Sequence, residues 1–337
     1  MAMEQRLQWV DYAKGIGIIL VVYGHVARGL VNAGLVSDPS FLVWLDGVIY
    51  GFHMPLFFLL AGLFFFESIE KRGALRYVEG KVSTLVYPYV LWSLLQGGIE
   101  VLLSAYTNSK ATWSEVLALL WAPRAQFWFL YALFFCSVCA ALLWMSLRGG
   151  SRRGRAVVLV GVGLLVLSLS SWMGGTAATR YVAGYFGFFA LGALWSVAVR
   201  DGARTLRWLG LAVGSMVALQ LARDAGLLAD ERWVVWLAAV AGSATVMWGA
   251  KWLQGRRPEA GRRLRLLQQL GEYSLPIYLM HVLAGSGVRI ALQFGLGVQD
   301  LASHLMAGCL VGLLAPLWLA QWLRRRGMGW WFAAPSR

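Results

Sequence analysis

Runs of about twenty apolar residues recur along the whole chain, and they constrain the fold more than any other feature. A helix of ~20 mostly apolar residues is long enough to cross the ~30 Å hydrocarbon layer of a bilayer. Ten such runs are read here: 15–33, 44–66, 83–104, 125–147, 156–172, 181–199, 208–222, 233–252, 273–295 and 304–323. Of the 337 residues, 59% are hydrophobic and 14% charged, against about a quarter charged in a soluble domain. So few charges cannot cover a water-facing surface, which makes lipid the solvent for most of the chain. Backbone polar groups in lipid must be satisfied within their own segment, so the spanning element is a helix. The expected fold is all-α: a polytopic membrane protein of about ten transmembrane helices, read as one integral-membrane domain over 1–337. Arg6, Lys14 and the first run resemble a signal peptide. No small-x-small site follows and Arg28 interrupts, so this run is read as an uncleaved first span.

Charge gives an orientation. The net +14 does not point to nucleic acid, because the basic residues fall in short clusters between apolar runs. That distribution is the positive-inside pattern of a bacterial inner membrane protein. With the N-terminus inside, 23 of the 30 Lys and Arg fall on the inner side, and Arg28, Lys110, Arg124, Arg180, Arg223, Arg232 and Arg289 fall outside. Both termini are therefore expected in the cytoplasm. The tryptophans gather near run ends, as Trp44, Trp121, Trp208, Trp330 and Trp331 do, and read as interfacial anchors. The stretch "QGRRPEAGRRLRLLQQLGEY" (253–272) reads as a basic amphipathic helix on the inner surface. Cys136 and Cys139 form one C-x-x-C inside an apolar run; with no second pair, they read as packing residues.

Against this apolar background, three histidines stand out. Lys14 and His25 lie about 20° apart after three turns and ~16 Å apart along a helix. With Lys14 at the inner edge, His25 reaches mid-membrane. His53 lies ~14 Å below the outer end of the second span, and His281 ~13 Å into the ninth. Three histidines on three spans thus converge on one depth. Ionisable groups there are costly and face a cavity or a partner. A single histidine would more often be a packed, hydrogen-bonded residue; three at one depth weigh against that. His304, at the outer start of the last span, reads as interfacial.

No H-E-x-x-H and no carboxylate at i+3 or i+4 accompanies the three histidines, so no metal is expected. A side chain with an ordinary pKa near 6.5 suits a general base that takes a proton from a hydroxyl. Ser274, Tyr278 and His281 share one helix stripe. Gly24 admits a close neighbour beside His25. Pro55 and Pro276 would free carbonyls beside His53 and His281. After the second span come Lys71, Arg72, Arg76 and Lys81, a cluster suited to a phosphorylated cytoplasmic donor.

A basic residue, ten residues and a histidine, here Lys14 to His25 in "DYAKGIGIILVVYGH", resembles the signature of acyltransferase family three, in its fucose 4-O-acetylase-like branch. "FHMPLFFLLAG", "YPYVLWSLL", "FWFLYALFF" and "SLPIYLMH" resemble that family's later motifs, in its order and over nearly the whole chain. The resemblance implies a membrane O-acetyltransferase that moves an acetyl group from cytoplasmic acetyl-CoA to a carbohydrate or glycolipid hydroxyl across the bilayer. It makes Lys14 and His25 the essential pair, with His25 as general base or, through an acetyl-histidine intermediate, as acyl relay. His53, His281 and Tyr278 would orient the base or donate to the oxyanion, while Lys14, Lys71, Arg72, Arg76 and Lys81 would hold the donor's phosphates. The family often has arginine at the position of Lys14; lysine keeps the charge and loses the bidentate fork. Some relatives carry an extra esterase-like domain; this chain is expected to work alone, as a homo-oligomer, or with a polysaccharide assembly system. The rival readings are a proton-coupled transporter relaying through the histidines, and an acyltransferase acting on a lipid or small molecule.

Overall fold

The computed structural model describes residues 8–104, 106, 111–147, 149–172, 175–198, 205–228, 232–255 and 264–335. The described helices, in chain order, are α1 (Gln8–Asn32), α2 (Ser40–Leu63), α3 (Phe65–Arg72), α4 (Ala74–Lys81), α5 (Tyr87–Leu102), α6 (Trp113–Leu117) and α7 (Trp128–Ser146). They continue with α8 (Arg152–Leu169), α9 (Ala177–Ala198), α10 (Thr205–Asp224), α11 (Arg232–Gly255), α12 (Arg265–Glu272), α13 (Ser274–Ile290) and α14 (Leu301–Arg325). Among the described residues there is no strand. The protein is an all-helical, multi-pass membrane protein.

All ten apolar runs fall on helices, and nine described helical segments are long and apolar enough to cross a bilayer. The exception is α8, on which the run 156–172 falls. Arg152, Arg153 and Arg155 occupy its first turn. The apolar remainder is ~21 Å long at 1.5 Å per residue. It packs along α9, where Gly163 lies against the backbone of Gly187. Of the charges counted for orientation, Arg6, Lys110, Arg148, Arg200, Arg204, Arg256, Arg257, Arg262, Arg263 and Arg337 lie outside the described residues.

The chain divides into two compact units: residues 1–57 with 202–326, and residues 58–201 with 327–337. In the first unit α1 is the central helix, packed by α11, α12, α13 and α14. Small residues allow the closest approaches. A Cβ on Gly308 or Gly312 of α14 would lie 2.8 or 2.9 Å from Val26 or Val22 of α1. Of the expected 253–272 surface helix, residues 253–255 end α11 and Arg265–Glu272 form the eight-residue α12. It does not lie free on a surface, because Gly271 packs against the Asp11 backbone and Leu270 is buried. Pro276 stands in the first turn of α13 rather than mid-span, where a proline breaks no helical bond.

In the second unit Gly62 of α2 meets the Phe189 carbonyl of α9, and Gly192 meets that of Leu59. Buried Gln96 and Gln126 pair their amides reciprocally, at 3.2 and 2.6 Å. Glu100 beside them holds Arg124 at 2.9 Å. The segment after α14 folds onto α5: the Trp92 indole donates to the Trp331 carbonyl at 2.8 Å, and its ring stacks on Phe332. Trp331 is therefore a packing residue and not only an interfacial anchor. Cys136 is buried, Cys139 half-buried, and both are free thiols.

Candidate active site

A cavity of about 280 Å³ lies in the first unit. From α1 it takes His25, Arg28, Gly29 and Asn32, at i, i+3, i+4 and i+7, one continuous helix stripe. α13 adds His281, Gly285, Ser286 and Arg289, and α14 adds His304. The volume of about 280 Å³ falls just below the roughly 300–1,000 Å³ range of small-molecule pockets.

The rings of His25 and His281 meet here in a T-shaped contact, with centroids 4.9 Å apart. Each is locked by its own helix. His25 Nδ1 lies 3.0 Å from the Val21 carbonyl, and His281 Nδ1 lies 2.8 Å from the Tyr278 and 3.2 Å from the Ile277 carbonyl. A carbonyl only accepts, so Nδ1 carries the hydrogen in both rings, and Nε2 of the neutral ring keeps its lone pair. His281 is 1% exposed, and its Nε2 has no hydrogen-bond partner. His25 is half-buried on the cavity wall.

His53 repeats the pattern, with Nδ1 2.9 Å from the Ile49 carbonyl, but it is not on the cavity wall. Its ring stands edge-to-face with Tyr50, centroids 5.0 Å apart. Arg28 in turn lies over the Tyr50 ring at 4.5 Å. His53 therefore reaches the cavity through Tyr50 and Arg28. Sequence spacing gave its depth and not its direction. None of the three histidines uses a carbonyl freed by a proline; each bonds the carbonyl one turn back, so neither Pro55 nor Pro276 is needed.

Tyr278 is buried with its ring 6.0 Å from His281, and its carbonyl orients that ring. Lys14 is half-buried and lies ~16 Å from His25 along the unbroken α1. It approaches the opposite end of that helix from Asn32. Gly24 admits side chains rather than another backbone: a Cβ there would lie 3.0 Å from Asp46 Oδ1 and 3.3 Å from Arg28 Nη2. In the second unit, Lys71, Arg72 and Arg76 are exposed on α3 and α4. Half-buried Lys81 sets its ammonium 5.2 Å from the Tyr77 ring centroid.

Three cavity residues were not picked out as site residues from the sequence. His304, read as interfacial, is 1% exposed and lines the cavity. The Asp300 side chain caps α14 through the Ser303 amide at 2.8 Å, and His304 donates from Nε2 to the Val298 carbonyl at 3.0 Å. Its Nδ1 is left without a partner. Arg28 and Arg289, counted on the outer side, are both on the cavity wall. The signal was their spacing, three residues after His25 and eight after His281. Arg28 is four residues from the end of α1, and Arg289 is in the last turn of α13. Arg28 donates to the Gly24 carbonyl at 3.0 Å and lies 3.4 Å from Asp46. Arg289, 7% exposed, donates to Gln293 at 2.8 Å. Among the described residues, no group of three His, Cys, Asp or Glu could hold a metal ion.

A family model described as an acyltransferase domain matches residues 7–321. The chain belongs to this acyltransferase family. The acyltransferase is also similar to the nodulation protein NolL of Sinorhizobium fredii, 26% identical over 197 residues, which are 58% of this chain and 50% of that protein. It is 31% identical over 134 residues to the nodulation protein NolL of Mesorhizobium japonicum, covering 40% of this chain and 35% of that protein. These matches span half or less of the length of the curated relatives. No solved structure matches the acyltransferase. Family membership favours an acyltransferase over a transporter.

Proposed function

We propose that this acyltransferase is an O-acetyltransferase of the bacterial inner membrane, moving acetyl from cytoplasmic acetyl-CoA to a hydroxyl of an exported or cell-surface carbohydrate. His25 is its general base. The acceptor hydroxyl gives its proton to His25 Nε2 as its oxygen attacks the thioester carbonyl carbon. Collapse of the tetrahedral adduct breaks the C–S bond, and His25 returns the proton to the departing thiolate. An acetyl ester and free CoA leave. His281 holds the His25 ring in position through the T-shaped contact, and Tyr278 positions His281 through its carbonyl. His53 positions the wall through Tyr50. The donor's phosphates meet Lys14 at the far end of α1. The cations Lys71, Arg72, Arg76 and Lys81 attract the polyanionic donor by charge.

The observation that carries this reading is the hydrogen bond from His25 Nδ1 to Val21, which leaves Nε2 as a proton acceptor on the wall of a cavity. Lys14 and the cavity mark opposite ends of one helix, which suits a donor and an acceptor arriving from opposite faces. The test is His25→Ala in lipid nanodiscs with radiolabelled acetyl-CoA and a crude surface glycan from the source cell. Loss of a general base lowers the rate by ~10²–10⁴. Transfer at near the parent rate, at matched protein, contradicts the assignment.

A further inference from the structure

We propose that Asp46 is a positioning residue of the His25 site: it holds Arg28 and balances its charge, so that the cation beside His25 does not oppose the positive charge that forms on the ring during transfer. The inference rests on the acetyl transfer proposed above and adds a residue to its machinery.

Asp46, Tyr50 and His53 stand at i, i+4 and i+7 on α2, one stripe of that helix. Arg28 of α1 lies along the stripe. Its guanidinium sits over the Tyr50 ring at 4.5 Å, its Nε is 3.4 Å from Asp46 Oδ1, and the Tyr50 ring meets that of His53. The pair passes beside Gly24, the residue before His25. A Cβ there would come within 3.0 Å of Asp46 Oδ1 and 3.3 Å of Arg28 Nη2. Both of those atoms are buried and neither has a hydrogen-bond partner, so Asp46 meets Arg28 through charge. The Asp46 side chain is 18% exposed, and salt screens a partly buried pair much less than a fully exposed one.

Arg28 follows His25 by one turn, ~4.5 Å along the axis, and both line the cavity. When His25 takes the acceptor hydroxyl's proton on Nε2, the ring becomes a cation. A bare guanidinium one turn away raises the energy of that state, and a carboxylate paired with it offsets the repulsion. No Asp or Glu is among the lining residues, so the balancing charge on Arg28 is that of Asp46, behind the wall. The cavity's other arginine, Arg289, stands eight residues past His281, ~12 Å along α13. Removing one member of a sheltered ion pair leaves an uncompensated charge, whereas removing both leaves none. Loss of Asp46 alone is therefore more costly than loss of Asp46 and Arg28 together.

The test is a double-mutant cycle on kcat, in the full chain in lipid nanodiscs, with radiolabelled acetyl-CoA and a crude surface glycan from the source cell. Rates are taken per folded protein, with thermal unfolding of each variant measured alongside. Asp46→Asn should lower kcat by roughly 10- to 100-fold, the scale of one unit charge several ångströms away at an effective dielectric of about 20. KM for acetyl-CoA should stay near the parent value. Asp46→Glu should keep part of the rate. The double variant, Arg28→Gln with Asp46→Asn, should run about tenfold faster than Asp46→Asn, a recovery that a merely structural contact would not give. If Asp46→Asn does not fold, the Arg28→Gln background decides: with the cation gone, adding Asp46→Asn should change kcat little, and a further loss of about tenfold overturns the inference. Asp46→Asn at the parent rate, or a double variant no faster than Asp46→Asn, also overturns it. His25→Ala, assayed in parallel, separates the inference from its foundation. Transfer lost in His25→Ala and kept in Asp46→Asn removes the Asp46 claim alone. Transfer that survives His25→Ala removes the general-base reading, and the Asp46 claim falls with it.

Discussion

Arg28 and Arg289 sit among fixed partners in the first unit, whereas Lys71, Arg72 and Arg76 stand exposed on α3 and α4 of the second. In the cavity, each side chain that carries chemistry is aimed by its own backbone or by a neighbour: His25 by Val21, His281 by Tyr278, Arg289 by Gln293. Such groups need little reorganisation when a reaction begins, the condition under which electrostatic and positional effects on rate are largest. An exposed cation on a mobile stem acts mainly through its charge, screened by salt beyond about 8–10 Å. The two regions have the same sign of charge and different physical uses. On the proposed function, one performs transfer at fixed geometry and the other gathers a polyanion.

That contrast predicts a graded series of effects. The largest beyond His25 itself belongs to His281. Removing the ring that holds His25 at 4.9 Å should lower kcat by about 10²-fold, the scale of a small misplacement of a reacting group. KM for the donor should stay near the parent value; a rise in donor KM with unchanged kcat would move His281 out of the reacting centre. Lys14→Ala comes next. Loss of one charged hydrogen bond, about 1.5–3 kcal/mol, should raise KM for acetyl-CoA by roughly 10- to 150-fold and leave the acceptor's unchanged. Lys14→Arg should keep much of the activity. An effect confined to acceptor KM would place Lys14 on the wrong substrate. Smallest is the combined Lys71→Gln, Arg72→Gln and Arg76→Gln variant. At about 0.2–1 kcal/mol per exposed charge, donor KM should rise a few-fold per charge at low salt. The difference from the parent should vanish near 1 M salt. Persistence of a large defect at that salt would give the segment fixed contacts like those of the cavity, and the contrast would fail.

How much of this was legible in the sequence follows the same division. Depth in a membrane can be counted along a helix, so the apolar runs gave the helices, and Lys14, His25 and His281 were placed along theirs before any packing was known. Azimuth and neighbours cannot be counted that way. His53 shares the depth of His25 and stands behind Tyr50 instead of on the wall. His304 is four residues into its helix and looks interfacial until the close approach of α14 at Gly308 and Val26 buries it. Arg28 and Arg289 were assigned by loop charge statistics, which weigh position along the chain and ignore the stripe a side chain shares with a histidine. The short α8 shows the reverse limit: its hydropathy is that of a span, but three arginines in its first turn shorten the apolar part.

The central claim is that donor and acceptor reach His25 from opposite faces of the membrane, the donor from the Lys14 end of α1 and the acceptor from the Asn32 end. Sealed vesicles of defined sidedness test it most directly. In inside-out vesicles, acetyl-CoA in the bath should be consumed only when acceptor glycan is trapped in the lumen. In right-side-out vesicles, transfer should require acetyl-CoA inside and acceptor in the bath. Full transfer with both substrates on one side of a sealed membrane, His25-dependent and without leakage, would contradict the account.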